Sequence, residues 1–570
     1  MIDAAGDVFI QLGLVVVVAA LAAFILRLFR QPQIIAYVLV GILLVPVLGL
    51  ITDTGVIASM STIGIAFLLF LVGLEMDLKA LKNVALVSTL GGTIQIAILF
   101  VLGYLIALLL GFLSLEAAYI GLMISFSSTM VVMKLFSDKR ELNTLHGRIA
   151  IGILLLEDIV AIFALSVLTS VNDFQVGVLG MAFLKFLSLF GAAFLASKYL
   201  FPPVFRFSAK HQELLLIMSL AVCFLFSFSF YALGFSIAVG AFIAGVALGN
   251  LDYSLEIIGK VKSLRDFFSL IFFVSLGMGL SLTALEGMWV PLAVLLGLIL
   301  FIKPLITMTI CSLFKYTKKP SFFTAISLAQ VSEFSLVIAA QGLLLKHLSQ
   351  ELFSLMVVLA LVTMSLTSYF IKYDRWFYNL LEKPLKLFDV FTTQGMEYLP
   401  SEVKPKIVLC GYNRIGYSIL QGLKEEKKHM LIVDFNPEVI TQLVKEGYHS
   451  IYGDVTDEEI MARMNLRRME LLVSTVPDVS DNLLLIRKVK EVNRKATVIV
   501  TATDIDEALK LYEQGADYVI LPHFLGGEQV SQMITKLRIN KIQLPDEKKR
   551  HIEHLHQRIG LGHEHPKGGR

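Results

Sequence analysis

The hydrophobic positions of the chain form long apolar runs separated by short polar loops, and this pattern stops near Phe370. An α-helix needs about 20 apolar residues to cross the hydrocarbon core of a bilayer. Thirteen runs come close to that length, although the ninth and tenth are short or interrupted by glycine. The predicted spans lie near 7–29, 33–51, 56–74, 85–111, 115–136, 147–171, 177–201, 212–233, 235–250, 266–284, 289–314, 321–345 and 350–371.

The loops between these runs alternate in charge. Taken alternately, one set of loops carries a single basic residue, Lys346. The other set carries Arg27, Arg30, Lys79, Lys82, Lys134, Lys139, Arg140, Arg148, Lys198, Arg206, Lys210, Lys260, Lys262, Arg265, Lys315, Lys318 and Lys319. Because Lys and Arg concentrate in cytoplasmic loops, this pattern predicts a multi-pass protein of the cell membrane with its N-terminus outside and its C-terminal region in the cytoplasm. The first run lacks a preceding basic region, which predicts a retained span rather than a cleaved signal.

Composition divides the chain into a membrane part and a soluble part. Hydrophobic residues make up 56% of the chain and charged residues 17%, whereas a soluble protein carries about 25% charged residues. Charge is sparse up to about Phe370 and dense from Glu382. We therefore expect a transmembrane domain over 1–381, a linker over 382–404, a soluble domain over 405–525, and a polar, partly disordered tail over 526–570.

Neither the cysteines nor the net charge indicates a further partner. Cys223, Cys311 and Cys410 are scattered and odd in number, which predicts neither a disulfide framework nor a metal site. The formal net charge of +3 points to no particular partner, and nucleic acid is not expected as one.

Polar and ionisable residues interrupt four of the predicted spans. A charged group costs about 2.5–3.5 kcal/mol at the centre of a membrane helix on insertion scales, so such groups indicate a function. Glu157 and Asp158 are adjacent in the sixth span, and Lys303 precedes Pro304 in the eleventh. The polar positions of the fifth and twelfth spans are Ser125, Ser127, Ser128, Thr129, Gln330 and Glu333.

The order of these spans predicts an ion-binding site. One polar, interrupted span precedes the span with the two acids, and a second follows the span with Lys303. Inverted-repeat transporters bring two interrupted helices together at the midplane, where freed backbone groups and half-helix ends hold the ion. A carboxylate placed there can bind a cation or a proton, and competition for one site would exchange the two.

Simpler roles stay open for some of these groups. Serine and threonine commonly join membrane helices, so the cluster in the fifth span can be a packing device. Lys303 can extend its amine toward the interface beside Pro304. The preferred prediction is an ion pair between Lys303 and Glu157, because an opposite charge within about 4–6 Å favours both ionised forms.

Four stretches carry a family resemblance: "SSTMVVMKLFSDKRELNTLHGRIAIGILLLEDIVAI", "SIAVGAFIAGVALGN", "RDFFSLIFFVSLGMGL" and "LAQVSEFSLVIAAQG". They are similar to the monovalent cation:proton antiporter-2 family, in particular to its Kef-type potassium/proton antiporters. The resemblance implies a polytopic α-helical antiporter fold of about 13 spans with inverted repeats and two crossing broken helices. It also implies a homodimer that works by alternating access.

The same resemblance assigns roles to individual residues. It implies that Asp158 carries the cation and the proton. The matching positions of the first crossing helix are Ser127, Ser128 and Thr129, and those of the second are Gln330 and Glu333.

This chain departs from the family in two places that bear on function. Kef systems typically have Gln before the carrier Asp and many sodium/proton exchangers have Asp there, whereas this chain has Glu157. K+ is favoured as the transported cation, with Na+ as the alternative. The loop "GNLDYSLEIIGKVKSLRDFF" lacks the acidic stretch of glutathione-gated Kef proteins, so glutathione control is not expected.

The soluble region begins with a Rossmann pattern. The apolar strand 407–410 leads into a turn, and a second strand, "MLIVD", ends in Asp434 about twenty residues later. In this arrangement backbone N–H groups and a helix N-terminus face phosphates, and the acid binds ribose hydroxyls. The turn residues are Gly411, Tyr412, Asn413, Arg414, Ile415 and Gly416, with Asn413 in place of the middle glycine. A Rossmann fold that binds nothing is the alternative.

Strand and helix patterns then alternate through "YHSIYGDVTD", "ELLVSTVPD", "TVIVTATD" and "DYVILP". This region resembles the regulator-of-potassium-conductance domain, which implies a regulatory ligand such as NAD(H), AMP or another adenine nucleotide. In that family Asp454 and the segment after Thr475 border the nucleotide pocket. Glutathione-binding Kef members carry arginines where this chain has Thr501, Thr503 and Glu513. The His-rich end is interpreted as a polar tail rather than a metal chelator.

These features favour a cation:proton antiporter gated by a nucleotide-binding domain over two other classes. A channel-type potassium uptake subunit would need a filter-like Gly-Tyr-Gly loop, which the sequence does not show. A membrane-bound nicotinamide-dependent oxidoreductase would need a substrate domain and residues for hydride transfer. The protein is therefore not expected to be an enzyme.

Overall fold

The computed structural model describes residues 4–29, 31–51, 55–75, 87–139, 141–142, 144–170, 188, 191, 193–233, 237–249, 251, 253–281, 283–389, 405–412, 414–538, 548 and 551–553. The chain forms two units. One consists of Met1–Ile310 and Phe322–Leu380, and the other of Cys311–Ser321 and Leu381–Arg570.

The region up to residue 389 is helical wherever it has regular structure among the described residues. The α-helices are α1 Ala4–Leu28, α2 Gln33–Ile42, α3 Gly55–Glu75, α4 Gly92–Leu109, α5 Ser114–Ser125, α6 Thr129–Asp138, α7 Leu145–Ser170, α8 Phe201–Ser208, α9 Gln212–Ala232, α10 Ile237–Gly249, α11 Ser254–Met278, α12 Trp289–Gly297, α13 Lys303–Leu313, α14 Lys318–Ser327, α15 Glu333–Leu344, α16 Gln350–Lys372 and α17 Asp374–Leu385. Wider π-helical turns occupy Leu43–Val47, Val87–Gly91, Ala196–Leu200 and Leu298–Ile302, and 3₁₀ turns occupy Thr283–Leu285 and Lys386–Asp389.

Within the described residues, seven helical stretches are long and apolar enough to cross a membrane. They are Phe9–Leu28, Gly55–Leu74, Val87–Leu109, Ser114–Asp138, Glu213–Ala232, Trp289–Leu313 and Gln350–Lys372. Gln33–Val47, Ile237–Gly249 and Glu333–Leu344 are shorter apolar helices. A helical membrane domain is confirmed, whereas the count of thirteen spans stays a prediction. Most of the span predicted near 177–201 lies outside the described residues.

Close helix packing in the membrane unit depends on paired glycines. Gly73 of α3 and Gly245 of α10 face each other, and a Cβ added at either would overlap a backbone carbonyl of the opposite helix. Gly41 of α2 and Gly277 of α11 form a second pair of the same kind. Small residues let membrane helices approach closely enough for van der Waals contact along their backbones.

The soluble unit contains a six-stranded sheet. Its elements are β1 Ile407–Cys410, α18 Arg414–Gly422, the 3₁₀ turn Lys424–His429, β2 Met430–Asp434, α19 Pro437–Lys445, β3 His449–Tyr452, α20 Glu458–Arg463, β4 Leu471–Ser474, α21 Val479–Val492, β5 Thr497–Thr501, α22 Ile505–Glu513, β6 Tyr518–Ile520 and α23 Pro522–Arg538. The strands are parallel and lie in the order β3-β2-β1-β4-β5-β6. This order is that of a Rossmann fold, whose ligand crevice lies where the order reverses, between β1 and β4. The predicted Rossmann-like domain is confirmed.

The predicted linker and tail are only partly described. The helix α17 and the turn Lys386–Asp389 cover the start of the linker, and 390–404 lies outside the described residues. The helix α23 runs to Arg538, so the first part of the predicted tail is helical. The His-rich end beyond 553 lies outside the described residues.

Candidate ion-exchange and nucleotide sites

Two membrane helices are interrupted at the polar positions predicted from the sequence. The first stops at Ser125 and resumes at Thr129, with Phe126 and Ser128 in extended conformations. The second stops at Ser327 and resumes at Glu333, with Ser332 extended. The hydroxyls of Ser128 and Ser332 cap the resuming helices by accepting backbone N–H groups. The serines therefore stabilise breaks that would otherwise leave donors without partners in the membrane.

The two interruptions contact each other. The Ser127 hydroxyl donates to the carbonyl of Leu328 at 3.0 Å, and Gln330 Nε2 donates to the carbonyl of Ser128 at 3.4 Å. Farther along, the Met130 N–H donates to Glu333 Oε1 at 3.4 Å. The structure thus brings together the polar residues that the sequence placed some two hundred positions apart.

Lys303 joins the two interruptions through its ammonium group. The side chain is fully buried, and Nζ donates to the carbonyls of Ile124, Phe126 and Gln330 at 3.1, 3.1 and 3.0 Å. Three acceptors match the three N–H donors of an ammonium group. One of them belongs to the last turn of α5, where the helix dipole also favours a positive charge.

Glu157 is fully buried and is held by two donors. The Ser127 N–H donates to Oε2 at 2.6 Å, and Gln95 Nε2 donates to Oε1 at 3.1 Å. Among the described residues no salt bridge joins Glu157 to Lys303, but the two charges lie near enough to attract each other. The predicted pair is therefore an attraction at a distance rather than a direct contact.

One peptide group lies between the two charges instead. The carbonyl of Phe126 accepts from Lys303, and the N–H of the same peptide bond, on Ser127, donates to Glu157. The negative end of the peptide dipole thus faces the ammonium group, and the positive end faces the carboxylate. The peptide dipole couples the two charges without direct contact.

Asp158 occupies a different environment from its neighbour. The Thr129 hydroxyl donates to its Oδ2 at 2.9 Å, and the side chain is 5% exposed. The carboxylates of Glu333 and Glu157 both lie near enough to Asp158 to repel a negative charge there. Within the described residues Gln330 Oε1 and Glu333 Oε2 are buried and accept no hydrogen bond of ordinary geometry, although the Ser128 hydroxyl lies near Glu333. Acceptor oxygens buried in this state are costly unless a cation or a proton reaches them.

Sequence reasoning missed two members of this network, Gln95 of α4 and Thr307 of α13. Both are fully buried, and the Thr307 hydroxyl donates to Gln95 Oε1 at 3.0 Å. A signal for Gln95 was available, because it is a long amide within the apolar run "GGTIQIAILF". Thr307 lies one helical turn after Lys303, on the same face of the helix.

In the soluble unit, the turn after β1 has the geometry of a phosphate-binding loop. Gly411 has a φ of 85°, and a Cβ at Gly416 would overlap the Gly411 carbonyl oxygen. Asp434 Oδ2 accepts the Tyr412 N–H at 2.7 Å, and the Thr475 hydroxyl donates to the Gly411 carbonyl at 3.1 Å. Asn413 and the side chain of Arg414 lie outside the described residues. Gly411, Asp434 and Thr475 thus meet at the carboxyl edge of the sheet.

Lys319 is an additional charged group at that edge. It belongs to the soluble unit through the segment Cys311–Ser321, and its Nζ lies 3.1 Å from Asp454 and 3.2 Å from Asp481. Burial alone would lower the pKa of Lys319, but the two carboxylates raise it above its usual value. Burial also raises the pKa of Asp481 to about 6, whereas for Asp454 Lys319 and Thr456 outweigh burial and hold the pKa below its usual value.

A helical membrane unit in which two interrupted helices meet beside buried carboxylates is typical of an ion transporter. Residues 14–372 match the family model for the transmembrane region of sodium/hydrogen exchangers, and residues 407–522 match the TrkA-N domain. The chain therefore belongs to the sodium/hydrogen exchanger family, and it is a multi-pass cation/proton antiporter with a C-terminal TrkA-N domain. The predicted resemblance to the cation:proton antiporter-2 family is confirmed.

Three known proteins illustrate the similarity. The putative cation/proton antiporter YbaL of Escherichia coli K12 is 28% identical over 528 residues, which are 89% of this chain and 93% of YbaL. The glutathione-regulated potassium-efflux system protein KefC of Escherichia coli O139:H28 is 27% identical over 494 residues, which are 85% of this chain and 78% of KefC. The solved structure of the sodium proton antiporter MjNhaP1 from Methanocaldococcus jannaschii has a TM-score of 0.51 at 18% identity, covering 66% of this chain and 99% of that one. This last likeness concerns the fold alone.

Proposed function

We propose that the protein exchanges a monovalent cation, with K+ favoured, for protons by alternating access at Asp158. The observation that carries this proposal is the position of the Asp158 carboxylate. It is buried beside the Thr129 hydroxyl at the two interrupted helices, close to Glu333. One acceptor oxygen of each neighbour, Gln330 Oε1 and Glu333 Oε2, lacks a hydrogen bond of ordinary geometry among the described residues.

The chemistry of this site couples the two ions. A buried carboxylate without a counter-charge is strongly unfavourable, so Asp158 holds either a cation or a proton at each turn. One carboxylate cannot hold both, and release of one ion therefore requires uptake of the other. Ser127, Ser128 and Thr129 would supply oxygens from one helix, and Gln330 and Glu333 from the other.

The preference for K+ rests on similarity rather than on geometry. KefC is a potassium-efflux system protein, and its similarity extends over 85% of this chain. Glu157 departs from the Gln of that group, so Na+ is the alternative cation, and an experiment must distinguish it from K+.

We also propose that the TrkA-N domain regulates exchange through a bound adenine nucleotide, NAD(H) or AMP. The turn 411–416, Asp434, Asp454 and Thr475 would form the pocket. The ion pairs of Lys319 with Asp454 and Asp481 support a regulatory role, because Lys319 lies in the first turn of α14, which is the first half of an interrupted helix. An anionic ligand at this edge would change the electrostatic environment of that lysine.

The proposal includes the arrangement of the chain in the cell membrane. The N-terminus lies outside and the TrkA-N domain lies in the cytoplasm, as the loop charges predict. The boundaries are 1–381 for exchange, 382–404 for the linker, 405–525 for regulation and 526–570 for the tail. Two copies form a homodimer.

Exchange in proteoliposomes with an imposed pH gradient tests the function. We expect K+ to dissipate the gradient at lower concentrations than Na+, and adenine nucleotide on the side of the TrkA-N domain to change the rate. A response to Na+ alone would assign the alternative ion. A gradient unaffected by either cation would contradict antiport.

The same assay tests the expectation about glutathione. Thr501 is buried with its hydroxyl donating to the Ser474 carbonyl, and Thr503 bonds to Glu507. These positions offer no cation to the carboxylates of glutathione. A glutathione adduct is therefore expected to leave the rate unchanged, and activation would contradict this expectation.

Nucleotide binding is expected to raise the thermal midpoint of the TrkA-N domain within the full protein. A ligand that binds only the folded state stabilises it by about 2.7 kcal/mol at a hundredfold excess over Kd. Gly416→Asp should remove the shift, because the new side chain overlaps the turn and places an anion beside phosphate. Gly422→Asp adds the same charge where a Cβ meets nothing within 4 Å and should keep the shift. No shift with millimolar NADH, NAD or AMP would contradict nucleotide binding.

A further inference from the structure

Five groups of the membrane unit form a closed hydrogen-bonded ring that none of the sequence motifs indicates. Gln95 joins Thr307 to Glu157, and Glu157 accepts from the Ser127 N–H. The carbonyl of the same peptide bond accepts from Lys303. Lys303 and Thr307 are one turn apart on α13, so the ring closes through that helix.

The chemistry of each group determines which atom donates and which accepts in every hydrogen bond of the ring. A carboxylate accepts only, so both neighbours of Glu157 must be donors. The Gln95 amide meets this need because its Oε1 takes the Thr307 hydroxyl, which leaves Nε2 to face Glu157. Two donors on two different oxygens fix the plane of the carboxylate. With one donor the carboxylate could rotate about its terminal bond.

The ring contacts the ion site through the interrupted segment. Ser127 is held by Glu157, and two residues later the Thr129 hydroxyl donates to Asp158. Since residues 126–128 lie outside any helix, with Phe126 and Ser128 extended, no regular backbone ladder fixes their position. Side-chain contacts of Glu157 and Lys303 supply the constraint instead.

We propose that Gln95 is a positioning residue for ion exchange, acting together with Thr307. It fixes Glu157 against Ser127 and thereby sets where Thr129 meets Asp158. This inference rests on the proposed function, since it gives the ring its role at the cation site. Gln95 itself touches neither Asp158 nor, on this proposal, the transported ion.

The decisive measurement is the cation dependence of exchange in three single variants. Gln95→Met keeps the length of the side chain and removes both hydrogen bonds, and we expect the KM for the cation to rise at least tenfold with the maximal rate within about twofold. Thr307→Val should raise KM in the same direction. Thr309→Val is the matched control, because it removes the same hydroxyl from the same helix at a position that faces outward and donates to the carbonyl of Leu305. It should leave KM unchanged.

Two double variants separate positioning from general stability. Gln95→Met with Thr307→Val should be no worse than Gln95→Met alone, because both remove the same link. Gln95→Glu with Glu157→Gln preserves every hydrogen bond of the ring with the amide and carboxylate exchanged, and it should return KM toward the wild-type value. Gln95→Met with Glu157→Gln lacks the link and should not.

An unchanged KM in Gln95→Met, with normal exchange by the wild type, would overturn the proposal. So would a parallel fall of rate and thermal midpoint without a KM effect, since that result indicates packing alone. If Gln95→Met does not fold, Thr307→Val and the exchanged pair decide the question. If the wild type exchanges no cation, the proposed function has failed and the positioning role fails with it. Non-additive thermal midpoints of the Gln95 and Thr307 variants would then show only that the ring exists.

Discussion

Replacing Asp158 with asparagine is expected to abolish cation/proton exchange while the protein still folds. Asparagine has nearly the same volume, and its amide oxygen can still accept the Thr129 hydroxyl. It cannot bind a proton at neutral pH, and it brings no charge to a cation. We therefore expect exchange in proteoliposomes to fall to the level of empty vesicles, with a thermal midpoint equal to or above that of the wild type.

Two variants serve as controls for the Asp158 prediction. Asp138→Asn removes an acid of the same type from an exposed pair with Lys134, where such pairs contribute little, and it should leave exchange unchanged. Glu157→Gln removes the neighbouring charge and should retain exchange, since Gln occupies this position in Kef-type proteins. Exchange at the normal rate in Asp158→Asn would show that another group carries the ions.

Replacing Lys303 with glutamine is expected to cause the largest loss of stability. The ammonium group serves three carbonyls, whereas an amide offers two N–H donors on a shorter side chain. The change also leaves the buried Glu157 without the positive charge that faces it across the Phe126–Ser127 peptide. Breaking a buried pair of charges typically costs about 3–5 kcal/mol. We expect the thermal midpoint in detergent to fall by several degrees.

Adding Glu157→Gln to this variant should restore part of the midpoint, because the uncompensated charge is removed. A double-mutant cycle measures this coupling. Lys262→Gln, an exposed lysine on α11, is the matched control and should leave the midpoint unchanged. Additive effects of Lys303→Gln and Glu157→Gln would mean that the peptide does not couple the two charges.

The sequence predicted the components of the candidate site well and their contacts less well. Charge and polarity within apolar runs were enough to select Glu157, Asp158, Lys303 and both interrupted helices, because each polar group in a membrane needs a compensating role. The assignment of the Rossmann unit was equally direct. Its strands, the glycine turn and Asp434 follow one another along the chain at short spacing.

The partner of Lys303 could not be predicted, because its nearest acceptors are backbone carbonyls. Every residue has a carbonyl, so the sequence carries no mark of which ones lose their helical partners and turn toward a lysine. Gln95 and Lys319 were missed for a related reason. Their partners Glu157, Asp454 and Asp481 are distant in sequence, and the contacts exist only once helices and strand ends have been placed.

The sequence alone determined the membrane part, the Rossmann-like part and the residues that bear charge within the membrane. These follow from transfer free energies and from backbone periodicity, which act on neighbours along the chain. The tertiary structure alone decided that one peptide group separates Lys303 from Glu157 and that a ring through Gln95 and Thr307 holds them. Hydrogen bonds act over about 3 Å and depend on direction, so they are set only when helices from distant parts of the chain pack together.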